Sequence, residues 1–168
     1  MATLPGCHAS RRSSWPGGPT SANWTDARDA AGRIGSEVIR VNASNASDLD
    51  RAFDSLKGQD ALLVQFDFLF AVEKRRVAAL VARQRLPAIY ENRSQALVGG
   101  LMSYGGDLRE NYRQGAESVH RVLNGTPPGD LPVVQASRFE LVLNLETARA
   151  LGLTVPDALL ARADEVID

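Results

Sequence analysis

The chain has 168 residues, 44% hydrophobic and 23% charged, with nineteen basic and twenty acidic side chains giving a formal charge of -1. This composition places it among globular proteins rather than collagenous, disulfide-knotted or disordered ones, and its charge balance gives no long-range attraction to nucleic acid or anionic lipid. One cysteine, Cys7, excludes a disulfide within the chain and a thiolate zinc cluster, so stability has to come from packing a core.

The first segment, "MATLPGCHASRRSSWPGGPTSANW", is rich in Arg, Ser, Gly and Pro and has no acid before Asp26. It lacks the apolar block of about 7 to 15 residues that a secretory signal requires, and Pro5, Pro16 and Pro19 would break an amphipathic transit helix. Residues 1–19 are expected to be irregular and disordered, with no signal peptide read on this chain. From Thr20 the pattern turns regular. Trp24, Ala27, Ala31 and Ile34 recur at helical spacing, "SEVIRVN" follows, and "SNASDLDRAFDSLKG" reads as a helix with Ser47 as N-cap and Gly58 as stop.

"DALLVQ" is a short continuous apolar run of the kind found in strands covered on both faces. "VEKRRVAALVARQR" returns to helical period, and "LPAIYE" is a second buried-type strand. This alternation predicts an α/β fold with a parallel sheet and right-handed crossovers. Beyond the glycine-bounded stretch "GGLMSYGG", "DLRENYRQGAESVHRVLNG" predicts the longest helix, its stripe formed by Leu108, Tyr112, Val119, Val122 and Leu123. "TPPGDLPVVQ" reads as an extended linker, "FELVLN" as a strand, "LETARALG" as a short helix ended by Gly152, and "VPDALLARADEVID" as a last helix. No run of about 18 apolar residues exists to span a bilayer, and the most apolar window, "ALLVQFDFLFAV", carries Asp67 in its middle.

In an open parallel sheet, ligands bind beyond the carboxyl ends of the strands. After "ALLVQ" comes "FDFLF", where Asp67 lies among Phe66, Phe68 and Phe70, a carboxylate framed by aromatic surface suited to an ammonium group or a ring. The alternative is that Asp67 caps the following helix and the phenylalanines belong to the core. Tyr90, Glu91 and Asn92 follow "PAI", with an exposed loop carboxylate as the plain reading of Glu91. No catalytic set stands out. His8 adjoins Cys7 near the chain start, His120 lies beside the apolar stripe of its helix, and "GGLMSYGG" matches neither a dinucleotide fingerprint nor a phosphate loop. No cofactor, metal site or enzymatic activity is predicted.

In order and spacing, "GGLMSYG", "VLNGTPPGDLPV", "FELVLNLETARALGLTVP" and "LLARADEVI" resemble the carboxyl half of the ABC transporter substrate-binding proteins of the tryptophan/tyrosine-binding type, from about residue 19 to the end. The resemblance implies a parallel-sheet, Rossmann-like lobe of a type I periplasmic binding protein-like fold, with a remnant of a second lobe. It implies an irregular segment 1–19, a ligand-binding lobe 20–98, a crossing strand and second-lobe helix 99–135, and a return segment 136–168. Asp67, Phe68, Tyr90, Glu91, Ser103 and Tyr104 are the ligand-binding residues it implies, with Gly99, Gly100, Gly105 and Gly106 as hinge positions able to take positive φ. The family loop usually carries Pro or Asn after its Asp, where this chain has Phe68.

The function so implied is non-enzymatic: a periplasmic solute-binding component of an ABC importer. Its ligand would be a small organic molecule, an aromatic amino acid being the candidate, handed to a membrane permease. The start of the chain matches nothing in the family, so a truncated form lacking its first lobe is expected, cytoplasmic if made as written. Its helix from residue 108 would then be uncovered and available for self-association. Two other classes stay open: a ligand-sensing regulatory domain of the same fold, and a small receiver-like or hydrolase-like α/β enzyme.

Overall fold

The computed structural model describes residues 6–9, 21–133 and 138–168, with side chains described from residue 25 onward. Among these residues seven strands form one sheet: β1 (Gly6–Ala9), β2 (Val38–Val41), β3 (Ala61–Val64), β4 (Ala88–Tyr90), β5 (Met102–Gly106), β6 (Phe139–Asn144) and β7 (Glu165–Ile167), in the order β2-β1-β3-β4-β5-β6-β7. Pairing is parallel throughout except between β5 and β6, which run antiparallel in the register Ser103↔Val142. The helices are α1 (Ser21–Arg33), α2 (Asp48–Asp54), α3 (Phe68–Val72), α4 (Lys74–Gln84), α5 (Arg93–Ala96), α6 (Leu108–Leu123), α7 (Leu145–Ala150) and α8 (Asp157–Leu160).

Strand order reverses at β1, and right-handed crossovers on either side of that reversal place α1 and α4 on opposite faces of the sheet. The pleat decides which strand residues meet α2, α3 and α4. Leu62 and Val64 on β3, and Ala88 and Tyr90 on β4, are buried with Leu49, Phe53, Phe70, Val77 and Val81, while Ala61, Leu63 and Ile89 turn to the other face and are only half-buried. A buried Leu or Val contributes roughly 1.5–3 kcal/mol relative to exposure, so this one-sided cluster is the main anchor of the lobe. At the far edge the Arg93 and Glu165 side chains, 2.5 Å apart, tie α5 to β7.

Three expectations are met in part or not at all. Gly6–Ala9 was expected to be irregular, yet it is a strand inserted between β2 and β3; the remainder of 1–19 lies outside the described residues. Ser47 occupies the N-cap of α2 without a side-chain bond, and the Asp48 amide donates instead to Asn45 Oδ1 at 3.2 Å. The last predicted helix stops after the four residues of α8, and its "EVI" end pairs with β6 as β7, where β-branched Val166 and Ile167 suit a sheet edge. Helix α6 is amphipathic as expected, and no residue of it is buried.

Candidate functional site

The carboxyl ends of β3, β4 and β5 and the start of antiparallel β6 meet along one edge of the sheet. From β3 the chain passes through buried Gln65 and exposed Phe66 to Asp67, whose extended backbone (φ -146°, ψ 148°) places it at the N-cap of α3. Asp67 Oδ1 accepts from the Leu69 amide at 2.8 Å, so the capping role weighed in the sequence is present. Phe68 is 75% exposed. At the end of β4, exposed Glu91 turns back toward β3 and its Oε2 accepts from the Phe66 amide at 2.7 Å, tying the two edge loops together. Asn92 Oδ1 caps α5 by accepting from the Ser94 amide at 2.8 Å.

Tyr104, half-exposed near the end of β5, stacks on Phe139 with ring centroids 5.6 Å apart. Phe139, Phe66 and Gln65 were not among the sequence-predicted site residues. For Phe139 the available signal was an aromatic opening an apolar strand; for Gln65, a polar residue directly after one. Two predicted residues are placed differently from expectation. Tyr90 and Ser103 are register partners on the side of the pleat that packs into the core, each 1% exposed, and neither hydroxyl has a hydrogen-bond partner among the described residues. Glu91 and Tyr104, one position further along, turn to the opposite face, so the six predicted residues do not converge on one surface. Burial pushes the Tyr90 phenol above its ordinary pKa and keeps it neutral.

The four glycines likewise divide. Gly99 alone of them has positive φ, at 103°. A Cβ at Gly100 would meet the Tyr90 ring at 2.6 Å and the Gln95 carbonyl at 2.8 Å, and one at Gly105 would collide with the Glu91 carbonyl oxygen. Close packing, rather than left-handed backbone, accounts for glycine at those two positions, and Gly106 pairs with Phe139 as ordinary strand.

A shallow pocket of 180 Å³ at this edge includes Asn92, Arg93, Asp107 and Arg109 in its lining, below the roughly 300 Å³ at which enclosed small-molecule sites begin. A cavity of 370 Å³ lies at the opposite edge, where Ala61, Ile89, Met102, Leu143 and Leu153 line it; its walls are largely apolar and the Asn144 amide is already bonded to Ala96 and Thr147. Volume alone therefore does not select it. Among the described residues no group of three or more His, Cys, Asp and Glu side chains is placed to hold a metal ion, and no helix is long and apolar enough to cross a membrane.

Comparison with known proteins places the chain in a family. The family model described as ABC transporter substrate binding protein matches residues 25–167. The chain belongs to this family. Among curated relatives of this substrate-binding family, the tyrosine-binding protein of Clostridioides difficile (strain R20291) is 28% identical over 126 residues, which is 74% of this chain and 36% of that protein. Among solved structures, an ABC domain from Streptococcus pneumoniae in complex with L-Trp superposes with a TM-score of 0.86 at 23% identity, covering 98% of this chain and 57% of that one. A conserved domain protein from Vibrio cholerae O1 biovar eltor gives 0.85 at 24% identity, covering 97% and 55%. At that identity the structural likeness establishes the fold, a periplasmic-binding-protein-like α/β lobe. The chain spans about a third of the curated relative and just over half of each solved structure.

Proposed function

We propose that this chain supplies one lobe of a solute-binding component of an ABC importer, working in the periplasm and passing its ligand to a membrane permease without chemical change. The ligand class is an aromatic amino acid. The observation that carries this reading is the concentration of exposed aromatic side chains, Phe66, Phe68, Tyr104 and Phe139, along the edge that also holds the carboxylates of Asp67 and Glu91. Aromatic rings exposed by half or more offer stacking surface to a ring, and two carboxylates favour an ammonium group. The names of the relatives, one tyrosine-binding and one solved with L-Trp, support the same class.

Saturation-transfer NMR on the 168-residue chain tests this. L-Trp and L-Tyr should receive saturation where L-Lys does not, with the effect reduced in Phe68→Ala and Asp67→Asn. Equal transfer to all three amino acids, or transfer unaffected by both substitutions, would overturn the assignment.

A further inference from the structure

Helix α6 ends in the chain's one Asn-Gly pair, Asn124 and Gly125. The ending is a Schellman motif: the Gly125 amide donates to the Val122 carbonyl and the Thr126 amide to the Arg121 carbonyl, each at 3.0 Å. Gly125 has a φ of 95°, a conformation that calls for glycine. Asn124, at the C-cap, turns its side chain back on the last turn. Its Nδ2 carries two hydrogens, one donated to the His120 carbonyl at 2.8 Å and the other directed at His120 Nε2 at 3.1 Å, which accepts when the ring's proton is on Nδ1.

The glycine that this turn requires also makes the asparagine labile, because no side chain on residue 125 screens its nitrogen from the Asn124 amide carbon. Independently of the ligand reading, we infer that Asn124 is a site of spontaneous deamidation held in check by the cap of α6. The Gly125 nitrogen, giving its proton to solvent, bonds to Asn124 Cγ; the Cγ–Nδ2 bond breaks, and Nδ2 takes up a proton and leaves as ammonia. One water then opens the five-membered imide at either carbonyl, leaving aspartate or isoaspartate at position 124. No electrons are transferred, water is the co-reactant, and ring closure is internal to the two residues.

In the folded chain both nitrogens are engaged, that of Gly125 by Val122 and Nδ2 of Asn124 by His120. The ring closes only after the end of the helix frays and releases them. The product does not restore the cap. Aspartate replaces a donor with a carboxylate beside the free carbonyls of the helix terminus, the unfavourable end of the dipole for an anion, and isoaspartate adds a methylene to the main chain within the Thr126 to Arg121 turn. Conversion therefore leaves the last turn of α6 open.

The 168-residue chain, incubated at mildly alkaline pH both folded and in guanidinium chloride, is digested and its isoaspartate located by mass spectrometry. Product should form at Asn124 before any other asparagine, and about tenfold more slowly in the folded chain, the restraint expected of one or two ordinary hydrogen bonds. His120→Ala should speed the folded reaction about threefold without changing the denatured one, and His120→Gln, which keeps an acceptor, should stay close to wild type. In converted chains the Gly125 and Thr126 amides should exchange faster with solvent. Earlier conversion at another asparagine, no conversion of the folded chain, equal rates folded and denatured, or a His120→Ala chain that behaves as wild type would overturn the proposal.

Discussion

Glu91 Oε2 accepts a hydrogen bond from the Phe66 amide at 2.7 Å, joining the loop after β4 to the loop after β3 across 25 residues of chain. The bond holds Phe66, and with it the Asp67 cap of α3, in one orientation at the edge of the sheet. A hydrogen bond to a charged group contributes about 1.5–3 kcal/mol, and at an exposed edge on the order of 1 kcal/mol. Glu91→Ala should therefore speed hydrogen exchange at the Phe66 amide about fivefold, whereas Glu91→Gln, which keeps an acceptor oxygen, should change it by less than half that. Identical exchange in all three proteins would show that the bond does not order the loop.

Gly105 and Gly99 should respond differently to the same substitution. At Gly105 a methyl group would run into the Glu91 carbonyl oxygen directly after β4, backbone that cannot yield without parting β4 from β5. At Gly99 there is open space but a φ of 103°, a conformation costing an L-residue roughly 1–2 kcal/mol. Gly105→Ala is expected to destabilise by about 3 kcal/mol or more, and Gly99→Ala by about 1–2 kcal/mol. Urea denaturation of the two variants gives the comparison, and equal midpoints would contradict the steric account.

The parts of the fold legible in the sequence are those whose own residues carry the signal. "ALLV" and "AIY" announce β3 and β4 through continuous apolar runs, and α6 through the spacing of Leu108, Tyr112 and Val119. Gly6–Ala9 carries no such signal, because a strand flanked on both sides can be specified by its neighbours' hydrogen bonds rather than by β-branched side chains. β7 was hidden for a related reason: "EVI" follows a helix-like stretch, and only β6 beside it makes it a strand. For the edge site, the sequence located the loops after β3 and β4. It could not fix the pleat, which sends Tyr90 and Ser103 into the core and Glu91 and Tyr104 away from it.

Among the described residues Tyr90 is the largest fully buried side chain, and its hydroxyl has no partner there. An unpaired buried hydroxyl costs about 1–3 kcal/mol, so Tyr90→Phe should raise stability by about 1 kcal/mol while keeping the ring against Gly100. Tyr90→Ala should cost about 3–5 kcal/mol through the cavity it leaves. Thermal melts of both variants test this, and a destabilised Tyr90→Phe would mean that the hydroxyl is satisfied in solution.

Glu110 titrates well below the ordinary carboxyl value of 4.5, at about 2, because the Arg113 side chain and then Gln114 donate hydrogen bonds to its carboxylate. A carboxyl whose folded-state pKa lies below its unfolded value adds stability that is present above about 4.5 and is lost as pH falls toward about 2. Both partners lie within one turn of α6, so the loss should be read locally, as fraying of the helix's first half in acid. Following the Arg113 Nε–H resonance by NMR from pH 5 to 2 should show its protection disappear over that interval. In Glu110→Gln the same resonance should be weakly protected at every pH. If the wild-type signal falls in parallel with the other helices of the chain, or if Glu110→Gln reproduces the wild-type curve, the pairing is not what holds this turn.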